Sequence, residues 1–263
     1  MTTTLARILA DTRDRLPELW RRELEIRNLA ETRPSPPEWA DGFGGSQLTV
    51  IAEVKRRSPS AGAIATGLDP AALACAYAAG GAGAISVLTN QTFFGGSLDD
   101  LEEVGTAVGL PLLRKDFIID AVQVYEARAA GASAILLIVR ALDCEQLADL
   151  ARLASELGLA TLVEVHTRDE LDEALRIDPR WVGVNSRDLT TFRVEIDRLA
   201  GILRAVPERV TAIAESGIES RQDVELVASW GADAVLVGTA LVRSPDPATA
   251  VKQLAGVLRR GRS

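Results

Sequence analysis

The chain has 263 residues, 47% of them hydrophobic and 25% charged, with a formal charge of −8. That composition belongs to an ordinary globular protein of one large domain or two small ones. Its acidity argues against nucleic acid or an anionic membrane as the main partner, because both need a basic footprint. Cys75, Cys144 and the single His166 show no metal-ligand spacing, which excludes a disulfide scaffold and nearly excludes zinc. The cysteines read as reduced thiols packed as small hydrophobes.

From the N-terminus, Leu5, Ile8, Leu9, Leu16, Leu19, Trp20, Leu24, Ile26 and Leu29 recur at helical spacing among many charges. They predict one amphipathic helix that Pro34, Pro36 and Pro37 bring to an end, followed by a turn over Gly42–Gly45. Residues 1–45 are thus expected to be a helical extension packed on the domain formed by residues 46–263. No long apolar signal core precedes it. The uncharged run 70–98 is rich in alanine and glycine and carries Thr89-Asn90-Gln91-Thr92. It reads as helix, glycine turn and buried strand rather than a membrane span. A cytoplasmic location is expected.

Three segments repeat one pattern: Gly81-Ala82-Gly83-Ala84-Ile85, Gly131-Ala132-Ser133-Ala134-Ile135 and Gly231-Ala232-Asp233-Ala234-Val235. Each follows an alanine-rich helical stretch and leads into an apolar run, as a glycine helix stop should. A fourth copy falls at Arg180-Trp181-Val182-Gly183-Val184-Asn185, without the leading glycine. Four further apolar runs, 48–54, 110–114, 160–165 and 210–214, lie between them. Runs without polar alternation suit parallel strands covered on both faces. Eight strand–helix units in about 200 residues predict a (β/α)8 TIM barrel. An open doubly wound sheet is disfavoured, because no Gly-x-Gly-x-x-Gly turn follows the first strand.

In this fold the active site lies at the C-terminal ends of the strands. Of the 29 basic residues only Lys55, Lys115 and Lys252 are lysine, and two of these close predicted strands. Lysine can transfer a proton where arginine cannot. Strand one offers Glu53 and Lys55, strand three Lys115, strand five Glu164, strand six Asn185 and Arg187, and strand seven Glu215 and Ser216. Crowded together, such groups shift one another's pKa values as proton transfer requires. A purely structural ion-pair network is the less favoured alternative. For Lys115 the expectation is a lowered pKa, from partial burial beside a second cation, with neighbouring carboxylates limiting the shift. Gly217 after strand seven and Gly238-Thr239 after strand eight suggest a phosphate cradle of backbone amides, supported by Lys55, Arg187 and Ser58. His166, two residues after Glu164, reads as a hydrogen-bonded structural residue. Phe117 is better placed to line a site than Phe93-Phe94. Another phosphate-binding barrel such as a sugar-phosphate isomerase, a lysine Schiff-base aldolase, or a ligand-binding protein without turnover remains open on the residues alone.

The ordered motifs add to this reading. They are Ile51-Ala52-Glu53-Val54-Lys55-Arg56-Arg57-Ser58-Pro59-Ser60, Ser86-Val87-Leu88-Thr89, Phe93-Phe94-Gly95-Gly96-Ser97-Leu98, Leu113-Arg114-Lys115-Asp116-Phe117-Ile118, Leu162-Val163-Glu164-Val165-His166, Gly183-Val184-Asn185-Ser186-Arg187-Asp188-Leu189 and Ala214-Glu215-Ser216-Gly217-Ile218. Together they resemble the indole-3-glycerol phosphate synthase family. The resemblance implies a carboxy-lyase of tryptophan biosynthesis, working without metal or organic cofactor on a small phosphorylated substrate. It implies that Lys115 is the general acid of ring closure, Glu164 its proton-transfer partner in dehydration and Lys55 a partner of the substrate's anionic groups and a candidate acid of the later step, with the assignment of acid to step left open. Glu53, Asn185, Glu215 and Ser216 would orient lysines and sugar hydroxyls, and Arg187 would receive the departing carboxylate. Gly217, Gly238 and Thr239 would cradle the phosphate. The chain departs from the family at Asn90 and Ala61, where an acidic residue and a lysine are frequent. A monomer is expected, with association with other tryptophan-pathway enzymes left open; the length excludes a second barrel.

Overall fold

A computed structural model describes residues 4–59, 62–187 and 194–262. Ser60, Ala61, Asp188 and Leu189, singled out above, lie outside the described residues. Among those described, eight parallel strands close into a barrel: β1 (Thr49–Val54), β2 (Ala84–Leu88), β3 (Leu112–Lys115), β4 (Ala134–Ile138), β5 (Ala160–Val165), β6 (Trp181–Asn185), β7 (Thr211–Glu215) and β8 (Ala234–Val237). Each pairs with its neighbours in sequence, and β8 closes the ring on β1 through the Thr49–Ala234 register. This is the (β/α)8 architecture that the eight apolar runs predict.

Alternation along each strand separates two cores. Ile51, Leu113, Leu162 and Ile213 pack inside the barrel, while Val50, Leu112, Val163 and Ala212 join the layer between sheet and helices. Burial on both faces explains why these strands are apolar throughout. The floor of the barrel is aromatic. A 3-10 turn at Trp39–Phe43 brings Phe43 within 6.5 Å of the Trp181 ring. Trp39 packs against Phe43 with ring centroids 5.2 Å apart and planes tilted by 55°.

The helix stops fall as the repeat predicts: Gly81, Gly131 and Gly231 all adopt left-handed φ, between 86° and 93°. In the copy that lacks glycine, Asp178 takes the left-handed turn instead, with φ 48°, and its carboxylate accepts two bonds from Arg209. Aspartate is among the few residues that tolerate this region. The helix Ala121–Ala129 and its counterpart Arg221–Ser229 end one residue before their turn glycines.

Two expectations need correction. The N-terminal segment is two helices, α1 (Thr4–Arg21) and α2 (Glu23–Thr32), broken at Arg22 where ψ is 9°. The break lets Leu16 and Ile26 both reach Val122 on the helix Ala121–Ala129, which one straight helix would not allow while it also laid Ile8 and Leu9 against the interior cluster. Cys75 and Cys144 are exposed rather than packed, because α3 (Pro70–Ala79) buries Leu73, Ala74 and Tyr77 and leaves Cys75 on its outer side. Cys144 opens its own helix, Cys144–Glu156, in the exposed first turn. A short antiparallel pairing of Arg57–Ser58 with Gly62–Ala63 was not foreseen.

Candidate active site

The inward column of each strand turns polar at its C-terminal end. Above Ile51 comes Glu53, above Leu113 comes Lys115, above Leu162 comes Glu164, and above Ile213 comes Glu215. These residues line a cavity of about 370 Å³ together with Lys55, Ser58, Phe117, Asn185, Arg187, Ser216, Gly217, Gly238 and Thr239. Every site residue named from the sequence is therefore brought to one place. Its apolar wall of Leu88, Leu136, Ile138 and Leu236 was not anticipated, and Phe94, one of the two aromatics weighed for such a lining, joins it. The signal lay in the period-two column below each polar end. Phe94 stands 6.2 Å from Phe117, centroid to centroid, and Phe93 is absent from the lining.

The charges form two groups. Lys115 Nζ lies 3.1 Å from Glu164 Oε2 and 3.3 Å from Glu215 Oε2, and Lys55 Nζ lies 2.5 Å from Glu53 Oε1. Burial works against the Lys115 ammonium, but the fields of Glu164, Glu215 and Glu53 outweigh it and hold its pKa above the ordinary lysine value. The lowered pKa expected from the sequence is thus corrected: the nearest groups are carboxylates, and Lys55 has its own partner. Burial likewise opposes ionisation of Glu164, yet Lys115 and His166 overcome it and keep Glu164 anionic. Glu215 goes the other way. Burial and the neighbouring Glu164 push it up to about 8, against the pull of Lys115. One lysine therefore sits between a carboxylate and a carboxylic acid.

The raised value has a consequence for stability. A carboxyl whose folded pKa exceeds its unfolded one contributes stability fully below the unfolded pKa, and loses it as pH rises through the folded value, here about 8. Glu215→Gln should flatten that loss. Urea midpoints measured between about pH 5 and about pH 9 would reveal it, and parallel profiles for wild type and variant would contradict it.

Two glycines make room for these groups. A Cβ at Gly183 would stand 2.0 Å from Glu215 Oε1, and one at Gly238 would stand 2.3 Å from Glu53 Oε1 and 3.0 Å from Lys55 Nζ. Gly183 was read from the sequence only as part of a strand. Ser216 and Gly217 are consecutive left-handed residues, φ 65° and 77°. Positive φ at Ser216, a non-glycine residue, is a strained backbone that sets a sharp turn at the rim of the cavity. Beside it, after the adjacent strand β8, Thr239 and Ala240 open the short helix Thr239–Val242, where first-turn N–H groups lack intrahelical acceptors.

The supporting framework lies outside the barrel. Arg114, fully buried, bonds Gln123 O at 2.9 Å, Glu126 at 2.7 Å and Asp116 at 3.4 Å. Asp116 in turn accepts from Thr89 at 2.7 Å and from the Phe117 N–H at 2.9 Å. Lys115 and Phe117 are thereby fixed from both sides. Asn90 caps the one-turn helix Gln91–Phe94, its side chain accepting from the Phe93 N–H, and its amide reaches Asp116 at 3.5 Å. Asn185 Oδ1 accepts from the Arg187 N–H at 3.0 Å. His166 stands behind Glu164 and bonds Glu170, in keeping with a hydrogen-bonded residue rather than a wall of the cavity. Among the described residues, no cluster of three or more His, Cys, Asp or Glu is arranged to hold a metal.

The fold and this site define a (β/α)8 enzyme that moves protons at a small anionic substrate. Solved structures agree on the fold alone. The thiamine phosphate pyrophosphorylase of Pyrococcus furiosus is similar at TM-score 0.58 and 20% identity, over 79% of this chain and 93% of that one. The 3-hexulose-6-phosphate synthase of Salmonella typhimurium reaches 0.62 at 16% identity, over 79% and 96%. Sequence relatives are far more specific. The indole-3-glycerol phosphate synthase of Mycolicibacterium vanbaalenii is 49% identical over 88% of this chain and 85% of its own, and that of Roseiflexus castenholzii 46% identical over 98% and 100%. A family model described as indole-3-glycerol phosphate synthase matches residues 5–254. The chain belongs to the indole-3-glycerol phosphate synthase family, decarboxylating lyases of tryptophan biosynthesis.

Proposed function

We propose that the cavity converts 1-(2-carboxyphenylamino)-1-deoxyribulose 5-phosphate into indole-3-glycerol phosphate, carbon dioxide and water. The observation that carries this reading is the Lys115 ammonium held between Glu164 and Glu215 above an apolar wall. Attack of an aryl carbon on a carbonyl builds negative charge on oxygen, and an ammonium beside it supplies both field and proton. Lys115 is the acid of ring closure. With carboxylates holding its proton tightly, Lys115 yields it only as the oxyanion develops beside it. Loss of carbon dioxide restores the aromatic ring, so what remains is positioning and proton supply.

Glu164 takes the proton removed during dehydration. Lys55, paired with Glu53, meets the substrate's anionic groups and serves as the later acid. Asn185, Glu215 and Ser216 orient the lysines and the sugar hydroxyls. Arg187 receives the carboxylate that leaves, using its planar donor array. Ser58, Gly217, Gly238 and Thr239 hold the phosphate through amides and a hydroxyl, and Phe117 covers the aryl ring. Residues 1–45 are read as an extension and 46–263 as the catalytic barrel, supported by the packing of α1 and α2 against the helix Ala121–Ala129. Among the described residues no helix is long and apolar enough to cross a membrane. A cytoplasmic monomer, free to associate with other tryptophan-pathway enzymes, is the working proposal.

Turnover of the substrate, followed by fluorescence of the indole product, tests the reading. A folded wild type that makes no product overturns it. Arg187→Ala removes a charged contact worth about 1.5–3 kcal/mol, so KM should rise about tenfold to a hundredfold. An unchanged KM would release Arg187 from its assignment.

A further inference from the structure

Ser186 lies between Asn185 and Arg187, which both line the cavity, but is not itself part of that lining. Alternation along β6 sets the difference: Gly183 and Asn185 face the interior, Val184 faces the surrounding helices, and Ser186 follows Val184. Only 3% of Ser186 is exposed, and a hydroxyl so buried needs a partner. It has one beyond the next strand, since Ser186 Oγ donates to the Ser216 carbonyl at 3.0 Å. The Ser186 N–H donates to the preceding carbonyl, that of Glu215, also at 3.0 Å. One residue thus grips two successive carbonyls where β7 ends.

The second of these carbonyls belongs to the strained turn. Ser216, at φ 65°, keeps a left-handed backbone only where its surroundings hold it there. Two neighbours do so. Ser186 fixes the carbonyl, and Val194 covers the next residue: a Cβ at Gly217 would stand 2.8 Å from Val194 Cγ1 and 3.4 Å from Ser186 Oγ. Val194 is itself tied to Arg187 by an antiparallel bridge. The peptide between Ser216 and Gly217 is trans, so its N–H points away from the carbonyl that Ser186 holds. Among the described residues no backbone carbonyl accepts the Gly217 N–H. A bond made behind the cavity wall therefore sets the direction of an amide on its rim.

We propose that Ser186 is a positioning residue for the phosphate end of the substrate. By holding the Ser216 carbonyl, its hydroxyl aims the Gly217 N–H at the phosphate and keeps that donor from turning away before the substrate arrives. A donor fixed in advance loses less freedom on binding than one that must be ordered by the ligand. The inference deepens the reading above and rests on the assignment of Gly217 to the phosphate. It leaves the chemistry at Lys115 untouched. The bond from the Ser186 N–H to Glu215 belongs to the backbone, so it survives loss of the hydroxyl and keeps Glu215 in place.

The experiment separates the phosphate end from the rest of the substrate. In Ser186→Ala, KM for the phosphorylated substrate should rise about fivefold to tenfold, with kcat within about twofold of wild type. Inorganic phosphate, used as a competitive inhibitor, should lose affinity by the same factor. The substrate without its phosphate, 1-(2-carboxyphenylamino)-1-deoxyribulose, should inhibit wild type and variant equally. A general loosening of the site would instead weaken both inhibitors alike, or lower kcat alone. Either result, or an unchanged phosphate affinity, overturns the role of Ser186. If the alanine variant does not fold, Ser186→Cys tests the same split, since a thiol fills the space but donates only weakly. A folded wild type without turnover removes the reading beneath; normal wild-type turnover with an unaltered variant removes this inference alone.

Discussion

Lys115→Met should lower kcat/KM by about three to four orders of magnitude, the upper part of what one general acid supplies. The variant loses both the proton and the charge beside the developing oxyanion. Lys115→Arg separates these, since a guanidinium keeps the charge but does not release its proton. Proton transfer as the main contribution leaves the arginine variant almost as inactive as the methionine one. Substantial activity in Lys115→Arg would instead reduce the role of Lys115 to electrostatics. Folding should survive both changes. Glu215 already carries a proton up to about pH 8, so removing the ammonium strands a single carboxylate, Glu164. Breaking a buried ion pair costs about 3–5 kcal/mol when the remaining charge has no compensation, and here His166 remains 3.4 Å away. Circular dichroism and thermal midpoints would verify that the loss lies in the chemistry.

Gly183→Ala is the second large effect, and it arises from one methyl group. On most strands the substitution stabilises by about 0.4–1 kcal/mol through the unfolded chain. Here the new Cβ falls 2.0 Å from Glu215 Oε1 and 3.3 Å from Leu162 Cδ1. Glu215 is the end of a flexible side chain, so the fold yields there and the site takes the damage. The carboxyl swings from Lys115, and kcat should fall about a hundredfold, as misplacement by an ångström commonly does. A stability loss of about 1–3 kcal/mol should accompany it. The double variant Gly183→Ala with Glu215→Ala makes the cause visible. Once the carboxyl is gone, adding the methyl should cost almost nothing in stability, a coupling of about 0.5–3 kcal/mol. Additive losses would show that the methyl acts on the strand itself.

The barrel was legible because burial on both faces writes each strand as a continuous apolar run, and because a helix stop requires left-handed backbone at regular places. Even the copy without glycine kept its turn, through Asp178, so the absent residue concealed no change of fold. The polar strand ends were equally legible: Glu53, Lys55, Lys115, Glu164 and Glu215 share a face by alternation alone. What sequence did not convey is the pairing among them. Which carboxylate stands beside which lysine depends on strand order and tilt around the barrel, so the pKa of Lys115 was expected to move in the wrong direction. Gly183 was missed for a related reason: its value lies in the space it leaves for a side chain on the next strand. The break at Arg22 also left no clear local signal. It follows from where the helix Ala121–Ala129 lies, and tertiary packing overrides the continuous helical pattern.

The aromatic floor at Trp39, Phe43 and Trp181 bears on how the chain is made. The ribosome delivers Trp39 and Phe43 before any barrel strand exists, and their partner ring arrives only with β6. Until then the Trp39–Phe43 pair lacks the ring that completes the floor, and the loop that must close between them and Trp181 is long, which slows its formation. The ring of strands closes later still, when β8 reaches β1. The end of the barrel opposite the chemistry is therefore sealed late in synthesis, and the early segment that seals it is exposed to chaperones and proteases for most of the chain's emergence.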